Sequence, residues 1–308
     1  MSRLGLVINP VAGKGRGLAA GRRAHALFVD GGHDVVDLSA ATLAQATDRA
    51  RAAAVRGLDA LVVVGGDGMV HLGANVAAGT GLPLGIVAAG TGNDIARALG
   101  LPRDVARGGV DRAVAVVERA LRQGPRRVDA VRVGRPGYVP QERFLGVLSC
   151  GIDAAVNARA NELAWPRGSA RYVRALAAEL GRFRPYGYRV RTDDQVWESA
   201  GTLVAVANTP WIGGGIRIAP YAVPDDGLLD VVVAGPVSRS GVVRIFPGLY
   251  RGRHERHPAV RMWRSRSVLV EPLPGLGGPP PVAFADGERV GPLPLRVEAD
   301  PGALAVLA

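Results

Sequence analysis

Three segments combine glycine with an acid or amide in a way that could cradle a phosphate. Val64-Gly65-Gly66-Asp67-Gly68-Met69-Val70-His71 surrounds one acid with three glycines directly after an apolar run. The backbone can then fold closely against a nucleotide, and Asp67 can hold Mg²⁺ or a water bound to it. The same acid could instead cap the helix that follows. Asn9-Pro10-Val11-Ala12-Gly13-Lys14-Gly15-Arg16-Gly17 lies between a strand pattern and a helix pattern. Its glycines let backbone N–H groups approach an anion, and the helix N-terminus adds positive potential. No Gly-Lys-Ser/Thr occurs, so it is not a Walker A loop. In Ala89-Gly90-Thr91-Gly92-Asn93-Asp94, Thr91 can bond a phosphate or the adenosine ribose, and Asn93 is expected to cap the next helix.

Two later segments bring further acids. Pro224-Asp225-Asp226-Gly227-Leu228-Leu229-Asp230 can combine carboxylate and backbone carbonyl oxygens, the hard ligands that Mg²⁺ or Ca²⁺ prefers, although a generic turn has the same composition. Ala285-Asp286-Gly287-Glu288 could take the proton from a hydroxyl attacking a γ-phosphate, or could simply be an Asp-Gly hairpin turn.

The elements around these segments change character near residue 127. Before it, apolar runs at Leu4–Ile8, Ala60–Val64 and Leu84–Val87, with Asp34–Leu38, alternate with helix patterns at Leu18–Asp30, Thr42–Val55, Val70–Ala78 and from Asn93 onward. Such alternation predicts a parallel sheet with crossover helices, whose ligands sit at the carboxyl ends of the strands. All three glycine-rich segments fall at such ends. After Arg127, short strand patterns dominate: Val128–Val133, Arg143–Ser149, Tyr188–Thr192, Leu203–Ala207, Leu229–Val233, Ser267–Val270 and Pro281–Ala285. Ala170–Leu180 is the one helix expected there, and Pro272–Pro281 is expected to be a surface loop. The prediction is an α/β domain over 1–127 and a β-rich, sandwich-like domain over 128–308, with the last strands able to pack back on the first.

Composition agrees with two domains. The 308 residues are 48% hydrophobic but only 5% aromatic, so Val, Ala, Leu and Ile must build the core. The net charge of +11 favours phosphate-rich ligands, anionic head groups or nucleic acid, and Lys14 is the only lysine. No helix-turn-helix or aromatic-studded basic sheet pattern accompanies the charge, which argues against nucleic acid. Cys150 stands alone in an apolar run and is expected to be a buried small hydrophobe. The first residues read as a strand rather than a leader, and no run of about 18 apolar residues occurs. A cytoplasmic protein is therefore expected. Trp165 to Arg174 and Arg251 to Arg266 mix arginine with aromatic residues and could rest at the inner face of a membrane, although a solvated basic face has the same composition.

Taken in this order, the motifs resemble one family, the bacterial diacylglycerol kinase-like lipid kinases, related to sphingosine and ceramide kinases. The resemblance runs from Asn9 to about Val290. Its most specific parts are Gly65 to Gly68, Gly90 to Asp94 and Asp226 to Asp230. It implies a nucleotide domain, a β-rich lipid domain with the active site in the cleft between them, and ATP and Mg²⁺ as cofactors. The acceptor would be a lipid hydroxyl met peripherally at the membrane surface, most simply that of diacylglycerol. By this resemblance Asn9, Pro10, Val11, Ala12, Gly13, Lys14, Ser39, Gly65, Gly66, Asp67, Gly68, Met69, Val70, His71, Thr91 and Asn93 would form the nucleotide site. Asp226 with the carbonyls of Val223 and Leu228 would hold a structural Mg²⁺, and Asp67, Asp94 and Asp129 would surround the catalytic one. Asp286 or Glu288 would be the general base. Met69 stands where the family usually has Thr, which removes one hydroxyl contact to phosphate, and His71 stands where Asn is common. A kinase of NAD or of fructose 6-phosphate is a rival reading, since both place Gly-Gly-Asp-Gly at a strand end. A non-catalytic nucleotide- or lipid-binding regulator is another. An exposed edge of the second sheet could support a homodimer.

Overall fold

The computed structural model describes residues 1–103, 105–140, 142–163, 165 and 169–308. The chain divides into two compact units. The first comprises Met1–Ala130, Pro224–Asp226 and Asp300–Ala308, and the second comprises Val131–Val223 and Gly227–Ala299.

In the first unit the elements run β1 (Arg3–Ile8), α1 (Ala12–Gly15), α2 (Gly17–Asp30), β2 (Asp34–Asp37), α3 (Leu43–Val55), β3 (Ala60–Gly65), α4 (Asp67–Ala77), β4 (Leu84–Ala88), α5 (Asp94–Ala98), α6 (Gly109–Gln123) and the start of β5 (Arg126–Gly134). The sheet order is β2-β1-β3-β4, with every pairing parallel. β3 and β4 are buried along their whole length, as their unbroken apolar runs require for strands covered on both faces. Leu4, Leu6, Val62 and Val64 join Ala24 and Phe28 of α2 and Val114 and Val117 of α6 in one core layer. Because β1 and β3 lead their crossovers in opposite directions, their carboxyl ends form the topological switch point, where a crevice must open. The last segment of the chain adds a parallel strand beside β4, with Val306 opposite Leu84.

The second unit contains β6 (Glu142–Phe144), β7 (Val147–Ser149), α7 (Ile152–Glu162), α8 (Ser169–Arg182), β8 (Tyr186–Arg191), β9 (Val196–Gly201), β10 (Leu203–Ala207), β11 (Leu229–Ala234), α9 (Arg239–Leu249), β12 (Val260–Ser265), β13 (Ser267–Pro272), β14 (Ala283–Ala285), β15 (Glu288–Gly291) and most of the first half of β16 (Leu295–Leu307). One sheet runs β12-β11-β10-β7-β14-β15, antiparallel throughout. Alternate residues divide its two faces. Val204, Val206, Val231 and Val233 meet Tyr188, Val190, Val268 and Val270 of the opposing layer, while Ala205, Ala207 and Val232 pack on Ile218, Ala219 and Ala222. This is a β-sandwich.

The structure departs from expectation at several elements. Among the described residues the second unit holds three α-helices where one was expected, because α7 and α9 also form. α7 lacks an apolar stripe, its nonpolar residues being scattered alanines with Ile152 and Val156, and α9 is written in β-branched residues, glycine and an internal Pro247. The expected strand Arg143–Ser149 is two strands, broken at Leu145-Gly146 by hydrogen bonds described below.

Cys150 is fully buried, with its thiol directed to the Val204 carbonyl, and burial pushes its ionisation well above the ordinary thiol range. The thiolate is the reactive form, so native protein at pH 8 should resist a disulfide reagent and react stoichiometrically once unfolded. Rapid native labelling would contradict this placement.

Candidate functional site

The three glycine-rich strand ends meet above the first unit's sheet. β1 delivers Asn9, whose amide donates to the Val64 carbonyl at 2.9 Å and whose side chain accepts from Val11 N–H at 3.1 Å. The chain then turns through left-handed conformations at Gly13, Lys14 and Gly15, with φ of 57°, 62° and 90°. A non-glycine residue in this region is uncommon, and Lys14 is held there with its side chain exposed. Gly13 is obligatory for a second reason: a Cβ there would lie 2.3 Å from the Ala89 carbonyl oxygen.

β3 and β4 deliver the other two turns, which touch through their backbones. The amides of Ala89 and Gly90 both donate to the Gly65 carbonyl, at 2.7 and 3.1 Å. A Cβ on Gly90 would fall 2.4 Å from the Gly66 Cα. No side chain fits there, so the two turns approach as closely as bare backbone allows.

Asp67 binds the turns together. Its two carboxylate oxygens accept from the backbone amides of Asp94, at 3.2 Å, and Ile95, at 3.0 Å. These are the orphan donors at the start of α5, so Asp67 caps a helix that follows a different strand from its own. Asn93 was expected in that role and does not fill it. It adopts φ 55°, and its side chain accepts from Gly90 N–H at 2.9 Å and donates to the Gly90 carbonyl at 3.0 Å, closing the Gly-Thr-Gly-Asn turn on itself.

The remaining expected nucleotide residues divide by exposure. Thr91, Pro10 and Val11 are exposed, whereas Met69, Val70 and His71 are buried beneath the turn. The last three can therefore meet a ligand only through the backbone of α4. Ser39 stands beside the end of β1, its hydroxyl accepting from Ile8 N–H at 2.9 Å.

The expected acidic network is not gathered. Asp94 lies 3.4 Å from Arg97, and Asp129 accepts from Gly302 N–H at 2.8 Å while its own amide donates to the Pro224 carbonyl. Among the described residues, no three His, Cys, Asp or Glu side chains converge as ligands for a metal ion. Asp129 instead ties the three chain segments of the first unit. Val223, Asp226 and Leu228 lie on the turn before β11, where Gly227 takes φ 73° and Asp225 pairs with Arg126 at 2.7 Å. Asp230, farther on, is buried opposite Arg264 of the neighbouring strand.

In the second unit Asp286 and Gly287 form a two-residue hairpin between β14 and β15, with φ of 53° and 89° as a type I′ turn demands. The Asp286 carboxylate accepts from the amides of Leu145, at 3.0 Å, and Gly146, at 2.9 Å. Those bonds divert the two residues from strand pairing and account for the break between β6 and β7. Glu288, the first residue of β15, is half-buried beside the turn.

Two residues around this turn carried no motif. Asn208 is buried, donating to the carbonyls of Leu145 through its side chain and Gly146 through its backbone, both at 2.9 Å. Asn157 of α7 donates to the Gly287 carbonyl at 3.3 Å. A solitary Asn, after a strand in one case and within a helix in the other, is the only signal either offers, and it is too common to select.

Of the two segments expected to meet lipid, Pro166, Arg167 and Gly168 lie outside the described residues. Trp165 is exposed and carries the Arg174 guanidinium over its ring at 5.8 Å. No helix among the described residues is long and apolar enough to cross a membrane.

Gly90→Ala should force the Gly65-Gly66 and Gly90 turns apart and destabilise the protein by about 1–3 kcal/mol, read as a lower urea midpoint. An unchanged midpoint would contradict the close approach.

Comparison with known proteins agrees with this architecture. Residues 3–133 match the diacylglycerol kinase catalytic domain, and residues 146–308 match the YegS C-terminal NAD kinase beta sandwich-like domain. A diacylglycerol kinase of Mycobacterium tuberculosis is 38% identical over 301 residues, 97% of this chain and 93% of that protein. A diacylglycerol kinase of Bacillus subtilis is 25% identical over 282 residues, covering 88% and 86%. Among solved structures, a diacylglycerol kinase from Bacillus anthracis superimposes with a TM-score of 0.69 at 21% identity, covering 99% of this chain and 96% of that one. Yeast NADH kinase shares the fold more distantly, with a TM-score of 0.51 at 11% identity, covering 99% and 82%. With a catalytic-domain match, a sandwich match and 38% identity to the mycobacterial protein over 97% of this chain, the chain belongs to the diacylglycerol kinase-like family of lipid kinases.

Proposed function

We propose that this kinase transfers the γ-phosphoryl group of ATP to a lipid hydroxyl, with diacylglycerol as acceptor and phosphatidic acid as product. The observation that carries the reading is the convergence of three glycine-rich strand ends at the switch point, locked by the Asp67 carboxylate. Backbone amides of Gly13 and Lys14, the Lys14 ammonium and the N-terminus of α4 would supply a polyphosphate cradle.

The donors suit Mg²⁺ by their chemistry, being oxygen throughout. Asp67 and Asp94 would hold a catalytic ion, and Asp226 with the Val223 and Leu228 carbonyls a structural one. Bound Mg²⁺ would offset charge on the transferring phosphate. In the second unit, Asp286 spends both oxygens on backbone amides. Asp286 thereby sets the turn, and Glu288, the half-buried first residue of β15, would be the acid that takes the proton of the attacking hydroxyl. Peripheral contact with the inner face of the membrane brings the enzyme to its acceptor.

The test is transfer from radiolabelled ATP to a panel of diacylglycerol, monoacylglycerol, sphingoid base, ceramide, NAD and fructose 6-phosphate. Label is expected in diacylglycerol, and label in NAD or the sugar phosphate would select the rival kinase reading. Glu288→Gln should cost on the order of 10²–10⁴ in rate with an unchanged melting curve. A fully active variant would remove the base assignment.

Asp67→Ala should abolish turnover and, by uncapping α5, also destabilise the protein by about 0.5–2 kcal/mol. Retained transfer activity would dismiss Asp67 from the nucleotide site, whatever its effect on stability.

A further inference from the structure

A surface helix of a folded domain ordinarily buries an apolar stripe. α9, written Arg-Ser-Gly-Val-Val-Arg-Ile-Phe-Pro-Gly-Leu, has no buried residue at all. Its inner side is half-buried at Val242, Ile245, Phe246 and Leu249, the last packing against the Ile218, Ala219 and Ala222 cluster. Its outer side carries Val243, Pro247 and then Tyr250, at i, i+4 and i+7, all exposed. Val243 is 59% and Tyr250 51% accessible, and Phe246 lies edge-on to Tyr250 at 5.9 Å. Water is a poor occupant for such a stripe.

The charge around it is one-sided. Arg244, Arg251, Arg253, Arg256 and Arg261 are all exposed. Between residues 231 and 270 the only acid is Glu255, and the Tyr221 hydroxyl bonds to it. Apolar and aromatic groups rimmed by arginine match an interfacial helix, which lays its apolar face at the acyl boundary while cations meet lipid phosphates. The helix itself lies outside the two segments singled out by sequence, while the arginines that follow it belong to the second of them.

We propose that α9, with the arginines that follow it, is the surface by which the protein docks on an anionic lipid bilayer. The inference deepens the lipid-kinase reading by naming the membrane-contacting element, but docking itself requires no catalysis. Val243 and Tyr250 set the depth of insertion, and the arginines set the preference for anionic lipid.

Co-sedimentation of the full chain with phosphatidylcholine vesicles, with and without phosphatidylglycerol, tests it. Transfer to a short-chain, water-dispersed diacylglycerol, assayed in parallel, reports on catalysis alone. The wild type should bind only vesicles containing phosphatidylglycerol, and less as salt rises. The double variant Val243→Asp/Tyr250→Asp should lose roughly ten-fold in binding, with short-chain activity and thermal melt unchanged. Arg244→Glu/Arg251→Glu should abolish the lipid preference. Vesicle binding by a wild type inactive on the short-chain acceptor would support docking while removing the kinase reading. Wild type that ignores the anionic vesicles overturns the proposal, as does a Val243/Tyr250 variant that binds normally. Loss in the arginine variant alone would mark a generic polyanion patch and also overturn it. A Val243/Tyr250 variant that turns a non-binding dimer into a monomer would assign the face to a second copy and overturn it too.

Discussion

A carboxylate accepting from two consecutive backbone amides is the constraint on which both acid-bearing glycine turns depend. Asp67 does this to Asp94 and Ile95, and Asp286 does it to Leu145 and Gly146. In each case the amides have no place in a helix or strand ladder, so the acid satisfies donors that would otherwise be stranded. In each case, too, the bond ties loops far apart in sequence, 27 residues in one unit and about 140 in the other. Charge-assisted bonds to neutral amides are stronger than those between neutral partners, which suits them to holding loops made largely of glycine.

This arrangement changes how the acids should be understood. An Asp in a glycine-rich turn suggests a metal ligand or a base, because those are the chemistries that need an acid there. Asp67 and Asp286 are first of all fasteners. Asp67 can still face a ligand with its remaining lone pairs, but the geometry of the cradle is set before any ligand arrives. Such preorganisation is what phosphoryl transfer asks of a protein, since the reaction is helped chiefly by positioning and electrostatics.

The parallel half of the molecule was legible because its signals are local. Continuous apolar strands such as Ala60–Val64 and amphipathic helices such as Leu18–Asp30 declare themselves within a few turns. The second unit was less legible where the decisive partner lies far along the chain. Nothing near Leu145-Gly146 announces a broken strand, since Asp286 breaks it. Asn93 looked like a cap by residue type and position, but Asp67 already held the α5 amides and left Asn93 to close its own turn. α7 and α9 were missed for opposite reasons: one lacks an apolar stripe, while the other has an apolar side that the domain leaves uncovered. The role of Asp286 could not be read from spacing, because the amides it accepts from lie about 140 residues away in the chain.

Lys14 has a practical meaning beyond the charge it adds. It carries the only side-chain amine in the chain, and it stands exposed on a left-handed loop at the switch point. Acylating reagents therefore find one lysine, at the mouth of the cradle, together with the chain's terminal amine. Occupancy of that region becomes a question that covalent chemistry can ask of a single nitrogen, with no engineered reporter needed.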